Sequence, residues 1–152
     1  MLSGCFPSAC VDSPSRGGVS ELAENFATWS SSGVTSYVFT YTVNGFEENG
    51  FPSAANSNTV VVQSGSISQV EILNSNGVVV EQVSENRFSE FFTVDDLFEE
   101  ISLLDDTVHS LQVAYDAFTG VPNDIFVDPV FGAEEVCGDN SDDFTITSQV
   151  EF

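Results

Sequence analysis

The side chains that could do chemistry in this sequence are abundant in one class and nearly absent in the others. There are 24 Asp and Glu beside one His, two Arg, no Lys and three Cys. Nucleophilic catalysis needs a base beside the nucleophile, and the one imidazole is His109, four residues after Asp105. No Ser or Cys motif frames it, so it reads as a surface or capping residue. Glycoside hydrolysis needs two carboxylates across a sugar-binding cleft. The acids here are numerous, but no spacing selects a pair, and a small sheet-plus-helix domain seldom leaves a deep cleft. We therefore expect a protein that is not an enzyme.

Hard-cation chemistry makes better use of so many oxygens. Glu134, Glu135, Asp139, Asp142 and Asp143, with Asn140 and Ser141 between them, put into one segment the kind of ligands that Ca²⁺ gathers about six to eight at a time. The spacing lacks the glycine and the terminal Glu of an EF-hand. Calcium at these five acids stands against a plain solvated acidic loop, and no other cofactor is expected. Three Cys with no neighbouring His disfavour zinc.

The formal net charge of −22 repels phosphate backbones and anionic headgroups, so nucleic acid and membrane binding by charge are both disfavoured. Cations and basic proteins are the compatible partners. Adaptation to salt, or solubility outside the cell, accounts for the same charge without a dedicated acidic binding role. Phe46, Phe51, Phe118 and Phe131 fall in loop segments, where binding residues often lie. Clustered, they would form a contact patch for a protein or other ligand; tucked under a sheet, they would be satellite core.

The start, Met1-Leu2-Ser3-Gly4-Cys5, resembles a bacterial lipobox, whose Cys is acylated after export. Richness in Ser, Asn and Thr, with no Lys, also points outward. The expected location is exported: periplasmic, cell-surface or extracellular, with membrane attachment only through a lipid on Cys5. In an oxidising compartment Cys10 and Cys137 then remain as an even pair. Their bridge would close a long loop and contribute about 4 to 5 kcal/mol in the chain-entropy model. A Cys5 to Cys10 bridge is the rival pairing, and three free thiols in a reducing cell the remaining alternative. Nowhere is there an apolar run of transmembrane length.

The element that must position these residues runs from Phe92 to Pro129. Val94, Leu97, Phe98, Ile101 and Leu104 recur at spacings of three and four and predict an amphipathic helix. Thr93 is its expected N-cap, and Asp95 and Asp96 suit the positive end of the helix dipole. After Asp106 the period becomes two, with Leu111, Val113 and Tyr115 on one face. A turn at Gly120 and Pro122 leads to a strand through Ile125 and Val127, with Asp124 and Asp128 pointing the opposite way.

Upstream, residues 6 to 19 have linker composition, and Ser20 is the expected cap of a short helix carrying Leu22, Phe26 and Trp29 on one face. Strict alternation marks a strand at Tyr37, Phe39, Tyr41 and Val43. Residues 44 to 58 read as a loop. Strands at 59 to 63 and 67 to 73 meet across Ser64-Gly65-Ser66, and 78 to 83 is a further strand or an extended edge. The last strand alternates through Phe144, Ile146, Val150 and Phe152, with Ser148 the polar exception on its apolar face.

These residues resemble a family, the bacterial domain of unknown function 6174. The resemblance runs through Trp29, Ser36-Tyr37, Val60-Val61-Val62 with Gly65, Thr93-Val94-Asp95-Asp96-Leu97-Phe98 and Tyr115-Asp116. It continues through Gly120-Val121-Pro122, Ile125-Phe126-Val127-Asp128, Glu134-Glu135 and Asp142-Asp143. It covers roughly residues 22 to 152 and implies an exported, often lipid-anchored bacterial domain, with no activity attached. A Cys-x-Cys-Pro-like element common after the family's first strand is replaced here by Asn44 to Pro52, so a redox or metal role tied to it is not implied.

At 152 residues the chain fits one domain, at residues 20 to 152, behind a flexible arm at 1 to 19. The expected fold is α+β: an antiparallel sheet of about five to seven strands with one or two helices packed on one face, in helix-βββ-helix-βββ order. The expected function is a non-catalytic binding module at the cell envelope. A self-assembling surface or filament subunit is the alternative, with a calcium-dependent module or an enzyme using the acidic loops after it.

Overall fold

The computed structural model describes residues 16–45, 56–128 and 144–152. Eight strands form one sheet: β1 (Arg16–Gly17), β2 (Tyr37–Gly45), β3 (Ser57–Gln63), β4 (Ser66–Leu73), β5 (Val79–Gln82), β6 (Ser110–Tyr115), β7 (Pro122–Asp128) and β8 (Phe144–Glu151). Helix α1 (Leu22–Ser31) precedes β2, and helix α2 (Val94–Thr107) joins β5 to β6. Across the sheet the order is β1-β6-β7-β8-β2-β3-β4-β5. The meander β2 to β5 and the meander β6 to β8 are thus stitched together where the last strand lies beside the first long one.

Register explains why both helices share one face. Antiparallel pairing sets Tyr37 against Val62, Phe39 against Val60, and Val43 against Ile146. A period of two then gathers these side chains on a single surface. Val94, Leu97, Phe98 and Ile101 of α2 are buried against it, each contributing about 1.5–3 kcal/mol. Trp29, from α1, meets Tyr37 edge to face at 5.2 Å. The opposite face mixes the Val38–Val61 pair with hydroxyls: those of Thr40 and Thr59 lie 3.4 Å apart across β2 and β3, and those of Thr42 and Ser57 2.7 Å. Ser64 (φ 52°) and Gly65 (φ 83°) make the tight turn from β3 to β4 with both residues left-handed, as a two-residue hairpin requires. On the core side, Asn58 is fully buried, and neither amide atom has a hydrogen-bond partner among the described residues.

Four expectations need correction. The sheet is mixed and has eight strands, because the arm read as linker joins it at Arg16: β1 runs parallel to β6, with Arg16 opposite Leu111. Gly18 permits this approach, since its φ of 78° and the carbonyl of Val113 beside it leave no room for a Cβ. Ser20 does not cap α1; it sits inside a 3-10 turn at Val19–Glu21, and Glu21 is the N-cap without a side-chain bond. His109 is not at the surface but 3% exposed, its backbone N–H donating to the Asp128 backbone carbonyl at 2.9 Å. Asp128, expected to point away from the core, is itself 6% exposed, while Asp124 is exposed as its alternation requires. Both departures arise where β6 leaves α2 and pairs with the end of β7.

Among the described residues no helix is long and apolar enough to cross a membrane. The edge strand β5 presents Val79 and Val80, with Val78 just before it, to solvent.

The two ends of α2 are held by different chemistry. At its C-terminus the Arg16 guanidinium donates to the carbonyls of Val108 and His109, each at 2.6 Å, and pairs with the Asp105 carboxylate at 2.9 Å. A cation placed at this negative end also meets the helix dipole favourably. Arg16→Ala is expected to lower stability by about 1.5–3 kcal/mol, the scale of a charge-assisted hydrogen bond. Arg16→Lys should recover less than half of that, because an ammonium cannot span the two carbonyls and the carboxylate as a planar fork does. Urea denaturation of the three proteins measures both effects.

Candidate functional site

The N-terminus of α2 leaves orphan N–H groups, as every helix does, and here the first turn is satisfied from several directions. Thr93 Oγ1 accepts from Asp96 N–H at 3.1 Å, and the Asp96 carboxylate accepts from Thr93 N–H at 3.0 Å, a reciprocal capping box. From β2, Tyr37 Oη accepts from Val94 N–H at 3.1 Å and Tyr41 Oη from Phe92 N–H at 3.2 Å. From α1, Trp29 Nε1 donates to Asp95 Oδ1 at 2.9 Å. These bonds tie α1 and β2 to the same turn of α2.

Fixing the two helices in this way leaves a groove between them of about 480 Å³. Leu22, Ala23 and Phe26 of α1 and Phe98 of α2 supply its apolar lining, and Asp95, Asp96, Glu99 and Ser102 its polar rim. Phe26 and Phe98 meet edge to face at 5.0 Å. Phe98 is 3% exposed but Phe26 41%, so the aromatic pair is packed on its inner side and open on its outer side. This volume lies in the range of ligand-binding clefts. Chemically the groove can take an apolar group on the phenyl rings and a positive charge on the rim.

Of the residues singled out from the sequence, Phe118 is 92% exposed on the turn between β6 and β7. Asp116 braces that turn by accepting from the N–H groups of Phe118 and Thr119 and from the Thr119 hydroxyl. Those bonds, led by the Thr119 N–H, hold the Asp116 carboxyl below its usual range. Phe46, Phe51 and Phe131 lie outside the described residues, as do Cys5, Cys10, Cys137, Glu134, Glu135, Asp139, Asp142 and Asp143. Among the described residues no group of three or more His, Cys, Asp or Glu could hold a metal ion.

The groove was missed by sequence reasoning because its parts carry other meanings there. Leu22 and Phe26 read as a buried stripe, and Asp95 and Asp96 as dipole partners. The available signal was a short helix whose stripe includes a large aromatic, next to a second helix with acids on the flank of its own stripe.

Over residues 21–136 the chain matches the model of a family of unknown function, DUF6174. The chain belongs to this family. Neither a comparison with curated proteins nor one with solved structures returns a match. The DUF6174 segment begins at the N-cap of α1 and extends past β7, so it contains both walls of the groove, while β8 follows it.

The fold raises the pKa of all three tyrosines. Burial raises Tyr37, aided by the Asp95 and Asp96 charges and opposed by the Val94 N–H bond; burial likewise raises Tyr41 strongly, and Tyr115 up to about 12 with Glu21 adding to it. A hydroxyl whose folded pKa lies above its unfolded value of about 10 gives its full stabilisation below that pH and loses it as pH rises through the folded value. The tyrosine contribution to stability should therefore be flat from neutral pH to about pH 10 and fall steeply above it, with phenolate absorbance appearing together with unfolding. Tyr37→Phe is expected to cost about 1–3 kcal/mol at neutral pH, since the buried Val94 N–H loses its acceptor. The same variant should make the alkaline loss shallower. Denaturant melts across pH, with absorbance recorded in parallel, measure both.

Proposed function

We propose that the protein is a non-catalytic binding module, exported and held at or outside the cell envelope, whose ligand surface is the groove between α1 and α2. The observation that carries this reading is the half-open Phe26–Phe98 pair: an apolar surface that two helices create by being clamped together and then leave uncovered. Most large aromatics on this side of the sheet are buried, so the exposed outer side of Phe26 marks where packing stops and a contact surface begins. Rigid helices also suit binding better than loops, because the clamp at the first turn of α2 holds the groove open without a ligand and reduces the ordering cost of association.

Neutral aromatic fragments are the direct probe of the groove. In nuclear magnetic resonance titrations they should shift Leu22, Ala23, Phe26 and Phe98, and Ala23→Trp, which fills the groove from an exposed helix position, should remove the shifts without lowering the melting temperature. Fragments that shift other surfaces equally would sink this reading.

The location rests on the lipobox-like start at Leu2 to Cys5 and on the cysteine count. Mass spectrometry of protein taken from its native host should find Cys5 acylated and Cys10 joined to Cys137. Free thiols at Cys10 and Cys137 together with an unmodified Cys5 would place the protein in a reducing compartment instead.

A further inference from the structure

We infer that the groove takes a basic amphipathic segment of another protein, which lays an apolar side chain on the Phe26–Phe98 pair and sets flanking lysines or arginines against Asp95, Asp96 and Glu99. This rests on the groove being the binding surface and adds the chemistry of its occupant.

The argument is one of uncompensated charge. Three carboxylates rim an apolar floor, and the chain has only two residues of the Lys and Arg class with which to neutralise them. Both are committed elsewhere. Arg16 is bound to Asp105 and to the end of α2, and Arg87 pairs with Glu81 at 2.7 Å and Glu90 at 3.2 Å. The one His is buried beside β7 and is not among the groove's lining residues. Asp95 spends one oxygen on Trp29 and Asp96 one on Thr93, which leaves a second oxygen on each, and Glu99 is exposed. Among the described residues neither arginine nor the histidine brings a cation to this rim, so a basic ligand meets no competing side chain there.

The same charges select against the other amphipathic classes. Fatty acids, anionic lipids and nucleic acid would bring negative charge to a rim of carboxylates on a chain of net charge −22, and like charges oppose such an approach. A second copy of this chain carries the same excess and is disfavoured for the same reason. The shape favours a segment over a small amine. The lining extends from Asp95 to Ser102 along α2, about 10 Å at 1.5 Å per residue. An open trough between two helices is the setting in which a third amphipathic helix docks by its apolar anchors.

The test uses the full chain, labelled for nuclear magnetic resonance, and a short helix-forming peptide with Leu and Phe on one face and Lys on the other. Three controls accompany it: a twin with Gln for every Lys, a twin with Glu for every Lys, and oligolysine with no apolar face. The basic amphipathic peptide is expected to shift Leu22, Ala23, Phe26, Phe98 and Ser102, to bind more weakly as salt is raised, and to bind tighter than all three controls. Glu99→Gln should weaken it by about two- to five-fold, the scale of one exposed ion pair, and Ala23→Trp should abolish it. Equal, salt-independent binding of the Gln twin in the groove would overturn the role of charge while the groove reading stands. Equal binding of oligolysine, or shifts spread over the sheet, would mean that bulk charge alone attracts the peptide, and would also overturn it. If the peptide leaves the groove unshifted, the inference fails; the neutral fragments then decide whether the groove reading fails with it.

Discussion

The rest of the structure depends on how the first turn of α2 is held. A helix N-terminus carries N–H groups that its own backbone cannot satisfy, and most helices settle them with one local cap and water. Here the local cap is present in Thr93 and Asp96, and two further N–H groups, at Phe92 and Val94, are satisfied by tyrosines four residues apart on β2. Trp29 then ties α1 to the same turn through Asp95. Because each bond is directional, α2 cannot rotate or slide on the sheet without breaking several at once. The apolar face of α2 supplies most of the energy of docking, and these bonds fix its orientation.

Charge follows a similar division of labour. With two arginines in the whole chain, each is used structurally: Arg16 closes the C-terminus of α2 and pins β1 beside β6, and Arg87 joins the 3-10 turn at Glu85–Glu90 to Glu81 of the edge strand. Every other charge on the described surface is a carboxylate. Such a surface has no preferred spot for a cation by charge alone, since its field is broad. What distinguishes the α1–α2 groove is that carboxylates and an apolar floor occur together there, so a basic ligand gains burial as well as attraction.

Much of the fold is legible in the sequence because the periodicities are clean. The apolar residues of α2, the Thr93 cap, the alternation of β2 and β8, and the Ser64-Gly65 turn all stand where spacing and backbone chemistry put them. What was misread depended on distant partners. Arg16-Gly17 has linker composition, and becomes a strand because β6 offers an edge and because α2 ends where a guanidinium can reach it. His109 and Asp128 are polar residues on short segments; they are buried because β6 and β7 pair directly below the end of α2. Ser20 has the right chemistry for a cap, but the chain enters α1 through a 3-10 turn that contains Ser20, which moves the N-cap one residue on to Glu21.

The DUF6174 segment contains both helices, and its two groove walls illustrate the limit of sequence most clearly. By itself the sequence determined the class of fold, the position of α2, the anionic surface and the scarcity of catalytic parts, because each follows from local periodicity or from composition. Only the tertiary structure decided that Leu22, Ala23 and Phe26 face Asp95, Phe98 and Glu99 across an open groove. That juxtaposition joins residues some seventy positions apart, and it exists because two tyrosines and a tryptophan, remote in sequence from α2, happen to be its hydrogen-bond partners. Spacing along a chain carries no record of such pairings; directional bonds between separate elements do.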